Sequence, residues 1–161
     1  MCDIRLKVVT MNIRNTFCAA LMLLAGASSA SDFGLHLGSK HGILMPEGKA
    51  LNDTNPGAYV RHQGYTLGFF RNSWSDVPFN GEARERWSVH ASRDFSYQMT
   101  AEVEASLSVG AITGYPVAPV LPLVLPSVRF GKDLGIRVSY VPRILSAQTT
   151  DTLHLSVETR F

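Results

Sequence analysis

The sequence predicts an all-β protein: an eight-stranded antiparallel up-and-down transmembrane β-barrel that follows an N-terminal signal peptide. Two observations at opposite ends of the chain carry this prediction. Residues 153–161 alternate between apolar and polar side chains, and the apolar set ends on the aromatic Phe161. This is typical of the closing strand of an outer-membrane barrel, which presents one face to lipid and the other to a polar lumen. Because a soluble, secreted β-domain can alternate in the same way, the second observation is needed.

The second observation is the organisation of the amino-terminal segment. A short basic lead at 11–16 precedes an apolar run at 17–27, and three small residues follow at 28–30. The apolar run is too short to cross a bilayer as a helix, which takes about 20 residues. We therefore expect residues 1–30 to be a secretory signal peptide cleaved after Ala30, with Met11 as an alternative translation start. Residues 31–161 would then form the barrel.

The composition of residues 31–161 narrows the classes of protein. Both cysteines, Cys2 and Cys18, lie in the predicted signal peptide, so disulfides would not stabilise the exported chain. Basic and acidic residues are equal in number after residue 30, and such a neutral chain gives no indication of a nucleic-acid partner. The chain contains no HExxH motif, P-loop or G-x-S-x-G motif. We expect no metal, no cofactor and a monomeric protein.

Short alternating segments predict the first four strands and the connections between them. A tight turn at Gln63-Gly64 joins the second strand to the third, and the turn after the fourth strand is expected to begin at Arg93-Asp94. Segments rich in Gly, Pro, Asn and Asp at 42–57 and 73–81 predict long loops. In chain order, the strands are expected at 32–37, 58–62, 65–72 and 87–92.

The longest internal alternation runs from 97 to 111 and predicts a single strand, and further strands are expected at 136–141 and 153–161. Glu102 and Glu104 share the polar face of the alternating segment. A carboxylate pair for acid–base chemistry is one interpretation. We favour the other, in which both line a polar lumen and are neutralised by Arg137 or Arg160.

Four prolines interrupt the segment 114–130. Proline has no N–H to donate, so it weakens strand pairing wherever its nitrogen faces a neighbouring strand. One interpretation is an apolar extracellular loop followed by a strand that begins near Leu125. The other is a gap between adjacent strands through which a lipid chain enters the barrel, with Pro142 bordering the same gap from the next strand.

Several short segments resemble, in order along the chain, the lipid A palmitoyltransferases of Gram-negative outer membranes. Members of that family are eight-stranded barrels that transfer a palmitoyl chain from a phospholipid to lipid A. The matching stretches are Leu-Asn-Asp-Thr-Asn-Pro-Gly at 51–57, Gly-Phe-Phe-Arg-Asn-Ser-Trp at 68–74, Pro-Val-Leu-Pro-Leu at 119–123, Ser-Tyr-Val-Pro at 139–142 and the terminal strand.

The resemblance implies a catalytic site on the extracellular loops. The family uses a His in the first extracellular loop and an adjacent Asp-Ser pair after the third strand. Here the His falls on His41 and the Ser on Ser73, while the position of the Asp is occupied by Asn72. Asn can orient a neighbour by hydrogen bonding but cannot ionise to stabilise an imidazolium. Asp76, in the same loop as Ser73, is a possible substitute for the missing carboxylate.

The resemblance also implies routes by which lipid enters the barrel through its wall. The family's prolines correspond to Pro122 and Pro142 at one lateral opening and to Pro56 near another. Such openings suit an enzyme whose substrate lies in the membrane.

These features together predict an acyltransferase of the bacterial outer membrane that moves a fatty acyl chain from a phospholipid to lipid A or a related lipid. Phospholipid and lipid A would be its partners, with the outer-membrane assembly machinery recognising the strand that ends in Phe161. The alternative is a small non-enzymatic barrel with a structural, adhesion or surface-modifying role. The departure at Asn72 favours this alternative, whereas the proline-bordered gap favours the enzyme.

Overall fold

The computed structural model describes residues 31–42, 51–78, 83–116, 118–142 and 151–161. Within these ranges, antiparallel strands pair in chain order and β8 pairs with β1, which closes the barrel. The strands are β1 Ser31–His41, β2 Gly57–His62, β3 Tyr65–Arg71, β4 Trp87–Gln98, β5 Val103–Thr113, β6 Val120–Phe130, β7 Leu134–Val141 and β8 Thr152–Arg160. The predicted all-β, eight-stranded antiparallel barrel is confirmed, while the predicted signal peptide lies outside the described residues. Nowhere in those ranges is there a helix long and apolar enough to span a bilayer.

Side chains alternate across the barrel wall, with apolar groups outside and polar groups inside. Large apolar side chains are exposed on the outer face, among them Leu67, Phe95, Leu134 and Ile136. The buried side chains are mostly Ser, Arg, Asp and Glu, and the buried apolar cluster is confined to Ile112, Leu121 and Leu123 with their partly buried neighbours. This arrangement is the reverse of a soluble domain, in which apolar groups fill the interior.

Ion pairs fill the half of the barrel that lies toward the start of β1. Arg137 Nε lies 2.7 Å from Glu158 Oε1, and Arg137 Nη2 lies 3.0 Å from Glu104 Oε1. Arg160 Nη2 contacts the other oxygen of Glu104 at 2.8 Å. Buried charges need such partners because an isolated charge in a low-dielectric interior is very costly. The predicted neutralisation of Glu104 by Arg137 and Arg160 is confirmed, whereas Glu102 is exposed in the turn before β5 and does not share the lumen.

The hairpin between β4 and β5 differs from the prediction. β4 does not end before Arg93-Asp94 but continues to Gln98, and Arg93 and Asp94 pair with Val109 and Ser108 of β5. Asp94 is stable inside a strand because its carboxylate, turned into the lumen, accepts hydrogen bonds from Arg61 and Thr66.

The prediction of one strand over 97–111 was therefore wrong, because the segment contains the end of β4, a turn and most of β5. The backbone N–H groups of Met99 and Thr100 donate to Val103 O and close the turn. Gln98 pairs with Glu104, six residues further along the chain, so even-numbered residues stay on one face and odd-numbered residues on the other across the turn. The sequence pattern alone therefore gives no sign that the chain reverses.

β6 begins at Val120 rather than near Leu125, so Pro122 and Pro126 both lie inside a strand. β6 pairs with β5 along its whole length, from Val120↔Thr113 to Phe130↔Val103. Among the described residues, its pairing with β7 covers only Ser127 to Phe130. In the part of the chain that the structure describes, the upper part of β6 thus has no strand pairing on its β7 side.

Candidate active site

His41 and Ser73 meet at one end of the barrel, which we call the upper rim. β1 ends at His41, and the chain turns through Ser73 just after β3 ends at Arg71. Because β1 and β3 both pair antiparallel with β2, they run in the same direction and end at the same rim. His41 Nε2 lies 2.9 Å from Ser73 Oγ, within hydrogen-bonding distance. The sequence suggested that His41 lies in the loop after β1. In the structure it is the last residue of β1.

A carboxylate lies on the other side of the His41 ring. His41 Nδ1 lies 2.7 Å from Asp53 Oδ1, and Lys40 Nζ lies 3.3 Å from Asp53 Oδ2. Burial raises the pKa of Asp53, but the hydrogen bonds from His41 and Lys40 outweigh it and hold this pKa below its ordinary value of 3.8. Asp53 is thus an anion at neutral pH, and both nitrogens of His41 are engaged.

A bulge in β1 brings Asp53 to this position. The register of β1 against β8 shifts between His36 and Gly38, so that Ser39 directs its N–H away from β8. That N–H donates to Asp53 O at 2.8 Å and ties the segment 51–56 to the upper part of β1. Asp53 belongs to a stretch that resembles the palmitoyltransferases, but no spacing rule connects it with His41. Its role is therefore not recognisable from the sequence alone.

Asn72 lies beneath the site and has a different set of partners. Its side chain is fully buried, with Oδ1 accepting from Trp74 N at 2.8 Å and Nδ2 donating to Ser88 Oγ at 2.7 Å. These bonds fix the turn that carries Ser73. Asp76, the other possible carboxylate, pairs with Arg71. The carboxylate hydrogen-bonded to His41 is therefore that of Asp53.

Asn55 connects the three segments of the site. Its buried amide Nδ2 donates to Arg71 O at 3.0 Å and lies 3.3 Å from Ser73 Oγ, while its Oδ1 accepts from Ser39 Oγ. Pro56 follows, and its carbonyl accepts from Arg71 N at 2.9 Å. Because Pro56 has no N–H to return to Arg71 O, the Asn55 side chain supplies that hydrogen bond. Pro56 lies where β1–β2 pairing ends, but its nitrogen faces β3.

An apolar cavity of about 90 Å³ opens beneath His41 and Ser73. Its walls carry the apolar side chains Phe70, Trp74, Ile112, Leu123, Leu125 and Val141. A cavity with mainly apolar walls suits a hydrocarbon group better than a polar one.

Three histidines, His36, His90 and His154, line this cavity, and the Tyr59 ring packs against that of His36. His36 Nδ1 lies 2.7 Å from His154 Nε2, and the rings of His36 and His90 are 5.7 Å apart. The Tyr59 ring lies directly over Gly34, where a Cβ would come within 2.1 Å of it, so only glycine leaves room. Tyr59 OH donates to Glu158 Oε1 at 2.6 Å and links this layer to the ion pairs below. Among the residues that the structure describes, no group of three histidine or acidic side chains is placed to hold a metal ion.

The direction of the backbone N–H groups explains why β6–β7 pairing stops. Along a strand, residues two apart direct their N–H toward the same neighbour. Gly131 N donates to Glu102 O beside β5, so odd-numbered residues of β6 face β5 and the even-numbered Pro122 and Pro126 face β7. Pro126 would be the next donor to β7 after Val128, and it has no N–H.

The same reasoning applies to β7. Arg160 N donates to Asp133 O, so odd-numbered residues of β7 face β8 and Pro142 faces β6. Prolines therefore border the unpaired stretch from both strands. Pro126, which was not among the prolines selected from the sequence, lies at the lower end of this stretch. Pro126 is four residues from Pro122, so both prolines face the same neighbouring strand, and this spacing was the available signal in the sequence. We call this stretch the β6–β7 opening.

No protein-family model matches the chain, and no curated protein sequence matches it. The interpretation of the site therefore depends on its own geometry.

Proposed function

We propose that the protein is a lipid acyltransferase of the bacterial outer membrane, which moves a fatty acyl chain from a phospholipid to lipid A or a related lipid. The observation that carries the proposal is the 2.9 Å contact between His41 Nε2 and Ser73 Oγ at the mouth of an apolar cavity. A hydroxyl paired with an imidazole is an arrangement that promotes acyl transfer from esters, because the imidazole can remove the proton of the attacking hydroxyl. The cavity would hold the part of the donor's hydrocarbon chain next to its ester, while the ester itself lies at the rim.

The outer surface supports a location in a membrane. Large apolar side chains are exposed around the wall, with Leu134 69% and Leu67 62% exposed. Soluble monomers rarely expose contiguous apolar surface on this scale, whereas barrel strands in lipid present such a face to the hydrocarbon. Strand pairing also runs right round the barrel, from β1 through β8 and back to β1, as a sheet in lipid requires.

The β6–β7 opening supports lateral entry of lipid. Leu123 and Leu125 of β6 and Val141 of β7 flank it, and all three also line the cavity. A hydrocarbon chain that passed between the two strands would therefore meet apolar side chains from the wall to the cavity. Strand pairing given up at this point is costly in lipid, and a route for substrate explains it.

A non-enzymatic outer-membrane barrel is the second candidate. The ion pairs that fill the lower lumen favour it, because a sealed and rigid barrel serves a structural role without any catalytic site. The two candidates differ in what they expect of His41 and Ser73. Only the enzyme needs them.

The test is transfer of a labelled acyl chain from phospholipid to lipid A by the protein refolded in detergent micelles. The wild type should transfer, and Ser73→Ala and His41→Ala should each lose about 10²–10⁴-fold in rate. Thr54→Ala is the matched control, since it removes an exposed hydroxyl from the neighbouring loop segment and should leave the rate unchanged. Folded wild-type protein that transfers no acyl chain would support the non-enzymatic barrel instead.

A further inference from the structure

We infer that acyl transfer at this site passes through a covalent acyl-Ser73 intermediate, with Asp53 as the residue that positions His41. The inference rests on the proposed function, since it specifies how the same site handles its acyl chain. Its basis is a continuous Ser73–His41–Asp53 hydrogen-bonded chain, with distances of 2.9 Å and 2.7 Å on the two sides of the imidazole. This is the order of groups that activates a serine as a nucleophile.

The partner of each nitrogen determines which one carries the proton in neutral His41. A carboxylate only accepts hydrogen bonds, so the nitrogen beside Asp53, Nδ1, carries the hydrogen. Nε2 then has a free lone pair directed at Ser73 Oγ, and it accepts the hydroxyl hydrogen. In this tautomer His41 acts as a general base toward Ser73.

Asp53 is held in place by contacts that do not involve His41. Its backbone carbonyl accepts from Ser39 N at 2.8 Å, and Lys40 Nζ contacts its second carboxylate oxygen at 3.3 Å. Asn52 Oδ1 accepts from Thr54 N at 2.9 Å and shapes the turn around Asp53. The carboxylate is therefore ready to orient the ring and to stabilise the imidazolium when it forms.

The reaction balances with the groups present and needs no further reagent. In the first half, Ser73 Oγ bonds to the carbonyl carbon of the donor ester while its proton moves to His41 Nε2. The bond from that carbon to the glycerol oxygen then breaks, and this oxygen takes the proton from His41 and leaves as lysophospholipid. In the second half, an acceptor hydroxyl gives its proton to His41 and bonds to the acyl carbon. The bond to Ser73 Oγ breaks, and Oγ takes the proton back.

A covalent intermediate has a consequence for activity. The first half-reaction needs no acceptor lipid, so the acyl chain is on Ser73 before lipid A is bound. Water that reaches the intermediate replaces the acceptor hydroxyl and releases a free fatty acid. The site would therefore also hydrolyse esters when no acceptor lipid is present.

The experiment is labelling of the refolded mature protein with a fluorophosphonate probe, followed by intact-mass and peptide mass spectrometry. The wild type should gain one adduct, on Ser73, and Ser73→Ala should gain none. Asp53→Asn should react about 10²–10⁴-fold more slowly. Asp76→Asn, which also changes a carboxylate at the upper rim but one paired with Arg71, should react at the wild-type rate.

Chemical rescue of an Asp53 variant tests whether the charge of Asp53 positions His41 or whether Asp53 has only a structural role. The Asp53 side chain is 45% exposed, so the space left in Asp53→Ala is open to solvent. Added formate should restore part of the labelling rate of Asp53→Ala, and neutral formamide should not.

Absence of an adduct on Ser73 would overturn the covalent intermediate, even in protein that transfers acyl chains. Asp53→Asn that reacts as fast as the wild type would overturn the role of Asp53. An adduct on Ser73 in protein that transfers no acyl chain between lipids would uphold the nucleophile and contradict the proposed lipid acyltransferase.

Discussion

His41 and Asp53 are twelve residues apart in the chain and joined by a 2.7 Å hydrogen bond between Nδ1 and Oδ1. The bond exists because the bulge in β1 turns the N–H of Ser39 toward the segment 51–56, which is thereby held beside the strand. The site thus contains a carboxylate, that of Asp53, even though Asn72 occupies the position that an Asp holds in the palmitoyltransferases that the sequence resembles. Asn72 is therefore no evidence against a catalytic role for His41 and Ser73.

The first prediction separates the role of Asn72 from that of Asp53. Asn72→Ala should lower the free energy of unfolding by about 1–3 kcal/mol, because the N–H of Trp74 and the hydroxyl of Ser88 lose a buried partner. Asn72→Asp should not raise activity, since its carboxylate would replace an amide hydrogen-bonded to Trp74 and Ser88. The stability of Asn72→Ala is measured by thermal unfolding, detected as a change in gel mobility. The activity of Asn72→Asp is measured in the transfer assay. Higher transfer by Asn72→Asp would show that a carboxylate is needed at this position after all.

The second prediction concerns pH. The pKa of Asp53 is lower in the folded protein than its ordinary value of 3.8, so ionised Asp53 stabilises the folded state above that pH. This contribution should fall as pH drops below about 3.8 through the folded-state pKa. The effect should be small, because the Asp53 side chain is nearly half exposed and solvent screens its ion pairs.

The measurement is the difference in stability between the wild type and Asp53→Asn as a function of pH. It should be constant at neutral pH and shrink on acidification. A difference that grows as pH falls would contradict the assigned sign.

The third prediction concerns the β6–β7 opening. Replacing Pro126 and Pro142 with Val restores two N–H groups directed into the opening and should extend the pairing of the two strands. Lipid turnover should fall while stability holds or rises, and Pro122→Val added to the pair should reinforce the effect. Pro119, which precedes β6, provides the control, since Pro119→Val should change neither quantity.

A small water-soluble ester gives a second readout for the same variants. It reaches Ser73 from the rim, so its hydrolysis should continue in the double variant. If lipid turnover were equally unaffected in folded protein, lipid would not enter between β6 and β7.

The fourth prediction concerns the last residue. Phe161 N donates to Ser31 O at 2.9 Å and completes the seam between β8 and β1, while the residue as a whole is 74% exposed. Deletion of Phe161 should reduce the heat-modifiable, folded protein in the outer-membrane fraction, whereas Phe161→Tyr should assemble normally. Recovery of the wild-type mature protein in soluble periplasm would contradict the membrane assignment.

The fold was predictable because each strand of a barrel with a polar lumen has two chemically different faces. Alternation in 153–161 corresponds to β8, and the opposite charges of Glu104, Arg137 and Arg160 do meet inside the barrel. The ends of the strands were less predictable where tertiary contacts outweigh the local preference of the sequence for a turn. Arg93-Asp94 reads as a turn, yet the partners that make Asp94 acceptable in a strand come from β2 and β3.

The candidate site was predictable only in part. His41 and Ser73 were expected on the same side of the barrel, and the structure brings them into contact. Asp53 was not found because its position depends on a bulge in β1, and such irregularities leave no periodic signal in the sequence. Pro126 was overlooked because the direction of its nitrogen follows from strand register rather than from composition.

The central claim, acyl transfer at Ser73, is tested most directly by mass spectrometry of lipid A from cells with and without the protein. Cells that contain the wild type should produce lipid A heavier by one acyl chain. Cells with an equal amount of folded Ser73→Ala in the outer membrane should produce lipid A like that of cells lacking the protein. Identical lipid A in cells with and without folded wild-type protein would contradict the assignment of lipid A as the acceptor.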